Sequence, residues 1–403
     1  MKILVLNAGS SSQKSCLYEI DENGALPEFA PEPLWQADAD WTHQRGTTEV
    51  KISTASGVTI EGNLETNVRS DVIDYILKTL WSGKTRVLSQ ASDIDIVGHR
   101  VVHGGSEFEK STLVTPEVKT AISRMAALAP LHNPANLEGI EVIEHILPNV
   151  PQVAVFDTAF HRHMPLEAMA YPGPYEWYEE QIYRYGFHGI SHQYCSRRAA
   201  QILGKDLESL RLITCHLGNG CSLAAIQHGH SIETTMGFTP LEGLMMGSRS
   251  GSIDPGIVLY LLQQKKLTVE QLDETLNKAS GLKGISGASD MRQVILDCRQ
   301  GKPRAKLAFD MFVHRLRYYI GAMLATLGGL DALVFTGGIG ENAAEVRAAT
   351  CESFAFLALK LDVQKNEQSP ADQLISAVDS AIPILIIHTQ EDWAIARECR
   401  ELA

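Results

Sequence analysis

The sequence of 403 residues has little of what marks a nucleic-acid-binding, membrane or secreted protein. Its 35 basic residues are outnumbered by 48 acidic ones, and the resulting net charge of −13 argues against a polybasic surface for nucleic acid or anionic lipid. The N-terminal apolar run, Ile3 to Leu6, is far too short for a signal sequence or a membrane span. We therefore expect a cytoplasmic protein.

The few cysteines are not spaced like those of a redox pair or a zinc site. The seven cysteines form no C-x-x-C pair and no zinc-type pattern, which indicates buried thiols in a reducing compartment. Long linkers rich in proline, glycine or serine are also missing from the sequence. The chain is long enough for two or three domains, so any boundary between domains must lie between packed elements.

Several familiar catalytic motifs are absent as well. The segment nearest to a Walker A loop is GGSEFEKS, in which Glu109 stands where the second glycine belongs, and we predict a surface loop there. The sequence contains no protein-kinase catalytic loop, no G-x-S-x-G elbow and no H-E-x-x-H zinc motif. Any nucleotide chemistry must therefore use a different arrangement of residues.

What the sequence does contain is an alternation of β-branched runs with longer helical stretches. This alternation predicts an α/β fold with mixed sheets and flanking helices. Apolar residues at three- and four-residue spacing predict helices over Thr268 to Lys278 and over Arg304 to Leu327. The weakly patterned region from 26 to 65 is predicted to form strands and turns at the surface.

The first polar break in the chain is NAGSSSQKS, residues 7–15, between the apolar stretches Ile3 to Leu6 and Cys16 to Ile20. Glycine and serine make ordinary hairpin turns. The same composition also suits phosphate, because glycine lets the backbone approach, hydroxyl groups donate hydrogen bonds and Lys14 supplies positive charge. Both interpretations stay open from this stretch alone.

The same form recurs at residues 212–229, LITCHLGNGCSLAAIQHG, where His216 aligns with Asn7 and Gly218 with Gly9. This repetition favours a duplicated domain, with two unrelated hairpins as the alternative. A third glycine turn, FTGGIGEN, follows a strand predicted at Leu333 to Thr336. It leads into a helix predicted to begin near residues 341–344, an arrangement suited to phosphate contact.

Histidine and arginine are concentrated in a few short motifs: GHRVVHGG, LAPLHNPAN, FDTAFHRHMP and YRYGFHGISH. A single histidine is more often structural than catalytic, but the clustering beside glycine indicates a functional site. Two further segments carry paired candidates. GFTPLEGLMMGSRSGSIDPG contains Arg249, and SGASDMRQV contains Asp290 and Arg292.

Taken in order from Lys2 to Arg397, these motifs resemble the acetokinase family, within the superfamily of sugar kinases, actin and heat-shock ATPases. The resemblance implies an α/β fold of two duplicated ribonuclease H-like domains, an actin-like ATPase fold, around a central cleft. It implies an N-terminal domain at 1–156, joined by the C-terminal tail 392–403, and a nucleotide-binding domain at 157–391.

The resemblance also implies an activity. The expected reaction is reversible transfer of the γ-phosphoryl group of ATP to acetate, giving acetyl phosphate and ADP, with Mg²⁺ or alternatively Mn²⁺, in a homodimer without nucleic-acid or membrane partners. A kinase acting on propionate or another short-chain acid is one alternative, and an ATPase without an acyl acceptor is another. Since a carboxylate is already ionised at neutral pH, such an enzyme needs positioning and charge cancellation more than a strong base.

The resemblance assigns roles to individual residues. The catalytic set is Arg100, Asp157, His188 and Arg249. Arg100 is also expected to bind the substrate, together with an apolar pocket of Val102, Leu131, Phe187 and Pro240. The expected nucleotide and phosphate ligands are Asn7, Ser10, Ser12, Lys14, His132, His216, Gly218, Asn219, Gly220, Asp290, Met291, Arg292, Gly338, Ile339, Gly340 and Asn342. Asn7 and Glu391 are expected to face the metal.

Four departures from the family pattern stand out. Ser252 replaces an acid two residues after the arginine–serine pair, and Gln13 replaces a leucine. The segment SGASDMR is one residue shorter than usual, and HTQED replaces a more acidic ending, which affects the assignment of Asp290 and of Glu391. None of these changes falls on the two arginines or on His188.

Overall fold

The computed structural model describes residues 1–9, 12–22, 24–27, 29–41, 46–129, 132–369 and 371–403. Two predicted site residues, Ser10 and Leu131, lie outside these described residues. The chain divides into two compact units, residues 1–159 with 390–403 and residues 160–389. The domain boundaries expected from the family resemblance, after residues 156 and 391, stay predictions.

The described part of the first unit contains an eight-stranded mixed sheet in the order β5-β4-β3-β2-β1-β6-β8-β7. Its strands are β1 (Lys2–Ala8), β2 (Ser12–Glu19), β3 (Trp35–Asp40), β4 (Thr48–Thr54), β5 (Thr59–Leu64), β6 (Ile96–Val101), β7 (Thr112–Leu113) and β8 (Gln152–Phe156). Its helices are α1 (Arg69–Lys78), α2 (Pro116–Arg124) and α3 (Asn133–Ile146). Strand β6 runs parallel to both β1 and β8.

The second unit has a six-stranded sheet among its described residues, in the order β11-β10-β9-β12-β14-β13. Its strands are β9 (Arg211–Leu217), β10 (Cys221–Gln227), β11 (His230–Thr234), β12 (Ala332–Thr336), β13 (Gln373–Leu374) and β14 (Ile384–Ile386). Its helices are α4 (Leu166–Met169), α5 (Tyr175–Glu179), α6 (Gly189–Leu203), α7 (Pro255–Gln263), α8 (Val269–Lys278), α9 (Gly281–Ser286), α10 (Met291–Arg299), α11 (Pro303–Leu327), α12 (Gly337–Asn342), α13 (Ala344–Glu352) and α14 (Val363–Gln368). A last helix, α15 (Glu391–Leu402), belongs to the first unit.

The two sheets share one topology at their centres. In each, an antiparallel hairpin is followed by two parallel strands: β2-β1-β6-β8 in the first unit and β10-β9-β12-β14 in the second. Asn7 and His216 each occupy the penultimate position of the first hairpin strand, as the internal repeat predicts. The α/β fold class with duplicated domains is therefore confirmed.

The glycine of the GHR motif positions helix α15. This helix packs on β1 and β6, with Trp393 fully buried and its ring 5.5 Å from that of Tyr18. A Cβ at Gly98 would lie 2.5 Å from Cys399 Sγ and 2.6 Å from Ile395 Cγ2. Because no other residue fits in that space, Gly98 lets the helix lie directly on the sheet.

Both helices predicted from periodicity are present, as α8 and α11. Helix α8 begins with a capping box, in which Gln271 N–H donates to Thr268 Oγ1 at 3.2 Å and Thr268 N–H donates to Gln271 Oε1 at 2.9 Å. Within the described ranges, no helix combines the length and apolar character needed to cross a membrane. All seven cysteines are described, and each is a free thiol.

The third glycine turn differs in part from its prediction. The expected helix near residues 341–344 coincides with the start of α13, but the short helix α12 already begins at Gly337. Glu341 causes the earlier start, because its Oε1 accepts a hydrogen bond from the Gly337 N–H at 2.9 Å. A side chain that folds back on the preceding turn leaves no trace in a periodicity pattern.

Candidate active site

In the first unit, Arg100 and Asp157 form a buried ion pair. Arg100 is on β6 and Asp157 directly follows β8, and the carboxyl ends of adjacent parallel strands meet at one edge of a sheet. Arg100 Nε donates to Asp157 Oδ1 at 3.1 Å, and Nη2 donates to Oδ2 at 2.5 Å. The two side chains are 17% and 2% exposed. This two-point contact fixes the plane of the guanidinium.

Asn7 connects this pair to the start of helix α15. Arg100 Nη1 donates to Asn7 Oδ1 at 3.4 Å, while Asn7 Nδ2 donates to Asp392 Oδ1 at 2.8 Å and to Glu391 Oε2 at 3.4 Å. The structure thus brings together Asn7, Arg100, Asp157 and Glu391. It adds Asp392, which sequence reasoning missed although it lies beside Glu391 in the altered HTQED ending.

Charge balance in this cluster favours a permanently charged arginine. Burial lowers the pKa of Arg100, but the neighbouring Asp157 and Glu391 carboxylates outweigh burial, so the net pKa lies above its usual value. Burial raises the pKa of the Asp157 carboxyl, while the Arg100 charge opposes that rise. An arginine held in this way can bind an anion without losing its own orientation.

The other predicted residues of the first unit that the structure describes are Val102, Ser12, Lys14 and His132. The Val102 N–H donates to Asn136 Oδ1 at 3.1 Å, and the Val102 side chain is buried. Gly9 N–H donates to the Ser12 carbonyl at 2.8 Å, and Lys14 pairs with Asn7 across the β1–β2 hairpin. His132 lies at the N-terminus of α3.

In the second unit, His188 and His216 stack with ring centroids 4.2 Å apart and planes inclined by 26°. Both rings are anchored through Nδ1. His188 Nδ1 is 2.8 Å from Ser222 Oγ, and His216 Nδ1 is 2.8 Å from Ser191 Oγ. The hydroxyl groups therefore hold both imidazoles by the same ring nitrogen and direct the opposite edges of the rings away from these serines.

The backbone at His188 is unusual. Its φ of 57° is in the left-handed region, at the N-cap of α6. The preceding carbonyl, that of Phe187, accepts a hydrogen bond from His161 Nε2 at 3.0 Å, and His161 Nδ1 is 2.8 Å from Ser231 Oγ. Burial lowers the pKa of His161 to about 4, so this ring is neutral while it holds the turn.

His192 lies behind the stacked pair and is also neutral. Its Nδ1 is 2.7 Å from Thr214 Oγ1 and its Nε2 is 2.8 Å from Ser222 Oγ. Burial lowers its pKa well below the usual value, and the His161 ring adds to the shift. Sequence reasoning noted His161 and His192 within the motifs but assigned neither a role, and it missed Ser222.

Arg249 approaches the histidines at Gly220. A Cβ at Gly220 would lie 3.4 Å from His188 Nε2 and 3.5 Å from Arg249 Nη1, so glycine leaves this space open. Arg249 Nη1 also donates to the Pro240 carbonyl at 3.1 Å. The glycine turn of HLGNG therefore borders both a histidine edge and a guanidinium.

Two sets of contacts hold the loop that carries Pro240 and Arg249. Ser252 Oγ accepts hydrogen bonds from the Gly243 N–H at 3.0 Å and from the Tyr319 hydroxyl at 2.8 Å, so this serine keeps an acceptor where the family has an acid. Glu242 accepts from the Tyr171 hydroxyl at 2.5 Å and from Arg184 Nη2 at 2.8 Å. Sequence reasoning missed the second set, because both partners lie 58 or more residues from Glu242.

A cavity of about 840 Å³ lies within the second unit. Eight of the predicted nucleotide residues line it: Gly218, Asn219, Asp290, Met291, Arg292, Gly338, Ile339 and Asn342. Five further lining residues were not predicted: Ser289, Ile295, Arg299, Ala343 and Glu345. The predicted residues Gly220 and Gly340 are not among its lining residues, and the Gly340 carbonyl instead accepts from the buried Arg347 at 2.7 Å.

The oxygen atoms at the start of α15 suit a metal ion. Asn7, Glu391 and Asp392 offer oxygen atoms, which Mg²⁺ prefers, and the Asn7 amide bridges the two carboxylates. In the described ranges, no group of three His, Cys, Asp or Glu side chains could hold a metal by itself. The residues therefore fit an ion that takes few protein ligands and keeps water or phosphate oxygens for the rest.

Comparisons with known proteins extend over the whole chain. The model of the Acetokinase family matches residues 2–397. An acetate kinase of Cyanothece sp. is 60% identical over 404 aligned residues, which cover 100% of this chain and 98% of the relative. An acetate kinase structure from Porphyromonas gingivalis has a TM-score of 0.90 at 39% identity and covers 100% of this chain and 99% of its own. A propionate kinase structure from Francisella tularensis has a TM-score of 0.90 at 41% identity, with 100% of both chains covered.

Proposed function

Because the chain belongs to the acetokinase family, we propose that it catalyses reversible transfer of the γ-phosphoryl group of ATP to acetate, giving acetyl phosphate and ADP. The observation that supports this proposal beyond family membership is that each unit contains one prepared cluster. A buried, doubly held arginine suits a carboxylate, and stacked histidines beside Arg249 suit a transferring phosphoryl group.

Arg100 is proposed to bind and orient the acetate carboxylate. The substrate is ionised at neutral pH, so the required contribution is orientation and charge cancellation. Asp157 keeps the guanidinium plane constant, and Asn7 contacts its other terminal nitrogen. Val102, Leu131, Phe187 and Pro240 are proposed to contact the methyl group.

His188 and Arg249 are proposed to donate hydrogen bonds to the phosphoryl oxygens as negative charge spreads over them in the transition state. A donor of this kind contributes about 3–4 kcal/mol to transition-state stabilisation. His216 and His132 are proposed to act at the same phosphoryl group, with smaller effects. The left-handed backbone at His188 supports such a role, because strained residues concentrate at functional sites.

The hydroxyl groups of Thr214 and Ser222 support one assignment of the ring protons of His192 and His188. His192 carries a single proton because its pKa is strongly lowered by burial. If Thr214 Oγ1 donates to His192 Nδ1, then His192 Nε2 donates to Ser222, and Ser222 donates to His188 Nδ1. His188 then carries its proton on Nε2, the atom beside Gly220, and can donate it to a phosphoryl oxygen.

Ser191 determines which ring nitrogen of His216 carries the proton in the same way. The Thr389 hydroxyl donates to Ser191 Oγ at 3.0 Å, which leaves the Ser191 hydroxyl to donate to His216 Nδ1. His216 then also carries its proton on Nε2. An imidazole that accepts at Nδ1 presents an N–H group at Nε2, and such a donor suits the charge that develops on a phosphoryl oxygen.

Mg²⁺ is proposed as the metal, with Mn²⁺ as an alternative, and it would neutralise charge on the nucleotide phosphates when bound. Asn7 and Glu391 would face it, and Asp392 would hold the Asn7 amide. The remaining nucleotide ligands are proposed as the cavity residues from Gly218 to Asn342 together with Ser10, Ser12, Lys14, Gly220 and Gly340.

The acceptor is proposed to be acetate, with propionate or another short-chain acid as the alternative that the propionate kinase relative raises. One methylene group in an apolar pocket is worth only about 1–3 kcal/mol, so both acids could be used at different rates. The test is incubation of the purified protein with ATP, Mg²⁺ and hydroxylamine, comparing acetate, propionate and butyrate by the acyl hydroxamate formed. Highest kcat/KM with acetate supports the proposal. Release of ADP without hydroxamate from any acid would contradict it and favour an ATPase.

A homodimer in the cytoplasm is also proposed. None of the nine residues of α7, all of which the structure describes, is buried, and Ile257, Leu259 and Tyr260 are 46%, 56% and 51% exposed. Tyr318 on α11 is also 63% exposed. A patch of this kind is suited to a second copy of the chain.

Analytical ultracentrifugation tests the dimer. We expect a mass of twice 44.2 kDa for the wild type and a shift to the monomer in L259E, because the substitution adds a charge to the apolar face. The matched control is V378E, which changes a fully exposed side chain outside α7 and α11. A monomeric wild type, or a dimer unaffected by L259E, would contradict this interface.

A further inference from the structure

The nucleotide cavity extends beyond the predicted residues to an ion pair at its far end. Arg299, the last residue of α10, donates through Nη2 to Oε1 of Glu345, in the first turn of α13. Both side chains line the cavity, and they are 70% and 40% exposed. The pair therefore connects the two helices that border this end, with polar atoms accessible from the cavity.

Gly218 and Asn219 also line the cavity, and the next residue, Gly220, borders His188 and Arg249. A Cβ at Gly247 would lie 2.2 Å from Asn219 Oδ1 and 3.1 Å from the Ser289 carbonyl, so Asn219 lies beside the start of α10, whose last residue is Arg299. Helix α10 then runs from Met291 to Arg299, a distance of about 12 Å at the rise of an α-helix. If phosphates lie beside Gly218, the base of the nucleotide lies toward Arg299.

The walls between these two ends suit a flat aromatic ring. Ile295 and Ile339 line the cavity with partly exposed apolar side chains, and Ala343 is buried beside them. Apolar side chains contact the faces of a base without distinguishing one purine from another. Discrimination between purines must therefore come from polar groups at the ring edge, and Arg299 and Glu345 are the charged groups at this end.

On the basis of the proposed phosphoryl transfer from a nucleotide, we propose that the Arg299–Glu345 pair contacts the edge of the purine base that carries the 6-substituent. A carboxylate oxygen of Glu345 accepts a hydrogen bond from a 6-amino group, as in adenine. The guanidinium of Arg299 donates to a 6-oxo group, as in guanine. One donor and one acceptor held together let the same cavity accept either nucleotide.

The proposal predicts opposite effects for the two halves of the pair. In E345A the acceptor is lost and Arg299 is released to donate, so the ratio of kcat/KM for ATP to that for GTP falls about tenfold. In R299A the donor is lost and the free carboxylate repels a 6-oxo group, so the same ratio rises about tenfold. A merely structural role for the pair would change both nucleotides equally.

The experiment measures acetyl hydroxamate formation with ATP and with GTP for the wild type, E345A, R299A and the double variant. The matched control is K306A, which breaks a similar exposed ion pair, Lys306 with Asp310, on α11. We expect the double variant and the control to keep the wild-type ratio within about twofold. Shifts in the same direction, or ratios unchanged in both single variants, would overturn the proposal.

Failure of the phosphoryl-transfer assignment can be told apart from failure of this proposal. If the wild type forms no hydroxamate with any nucleotide, the dissociation constants of ADP and GDP, measured by calorimetry on the same four proteins, replace the kinetic ratio. Opposite shifts in the ADP to GDP ratio would still support the contact with the base. Equal affinities throughout would reject it.

Discussion

Asn7 and His216 occupy the same position in two sheets of one topology, yet the groups around them differ in kind. Asn7 lies among full charges, with Arg100 on one side and the carboxylates of Glu391 and Asp392 on the other. His216 lies among neutral groups, bonded through Ser191 to Thr389 and stacked on His188. The two units therefore share a sheet topology, while the side chains at the matching strand ends have different surroundings.

The difference concerns how each cluster maintains its geometry. The first-unit cluster depends on paired charges in a buried place, so removal of one partner leaves the other uncompensated. The second-unit cluster depends on hydroxyl and imidazole hydrogen bonds, each of which contributes about 1 kcal/mol to stability. We therefore expect damage to the first cluster to lower both stability and activity, and damage to the second to lower mainly activity.

The largest effect is expected from R249A. The substitution removes a donor beside Gly220 and His188, and we expect kcat for acetyl hydroxamate formation to fall about 10³-fold while the dissociation constant for ADP stays within twofold. The control R124A removes an exposed arginine of the first unit and should leave both quantities unchanged. Normal turnover in R249A would remove this residue from the proposed reaction.

The next effect is expected from D157N, which tests the charged cluster. The amide keeps the shape of Asp157 but removes the charge paired with buried Arg100, so we expect the free energy of unfolding to fall by about 3 kcal/mol. We also expect kcat/KM for acetate to fall about 10²-fold, because Arg100 loses its fixed orientation. Urea denaturation and the hydroxamate assay measure the two quantities. A variant as stable as the wild type would show that the ion pair is not what maintains this cluster.

The smallest effect is expected in the pH dependence of the free energy of unfolding, counted per pH unit and per histidine. Burial lowers the pKa of His99, His103 and His161 to about 4, against 6.5 for an exposed histidine. Between these values the unfolded chain binds more protons than the folded one. Stability is therefore fully present above pH 6.5 and is lost as the pH falls toward 4, by up to about 1.4 kcal/mol per pH unit for each histidine.

Replacement of one of these histidines sharpens the test. In H161Q, urea denaturation between pH 6.5 and 5 should have a pH slope that is smaller by about 1 kcal/mol per unit than that of the wild type. The control H145Q replaces an exposed histidine and should keep the wild-type slope. An unchanged slope in H161Q would mean that this ring titrates normally in the folded protein.

Much of the secondary structure could be predicted, because it depends on local patterns. The hairpin strands and the helices α8 and α11 follow from alternation and from three- and four-residue apolar spacing. The early start of α12 could not be predicted from periodicity, since it depends on the Glu341 side chain bonding back to Gly337. The HTQED segment predicts a role for Glu391 alone, whereas Asp392 accepts the shorter hydrogen bond from Asn7.

In the candidate site, too, the local motifs could be predicted and the distant contacts could not. Its residue types were visible in short motifs such as GHR, FDTAFH and HLGNG, and the eight predicted residues that line the cavity of the second unit come from three separate segments. The supporting contacts were not visible. Glu242 with Tyr171 and Arg184, and Ser222 between His188 and His192, consist of common residue types whose partners are 30 or more residues away.

The sequence by itself determined the α/β class, the repeated hairpins and the motifs that contain the candidate site residues, because these depend on neighbours within a few residues. Only the tertiary structure decided which atoms those side chains present. The amide of Asn7 is oriented by Asp392, 385 residues away, and the ring nitrogen that His188 directs at Gly220 is selected by Ser222. Hydrogen-bond direction is a property of the folded surroundings, and no local pattern of residues carries it.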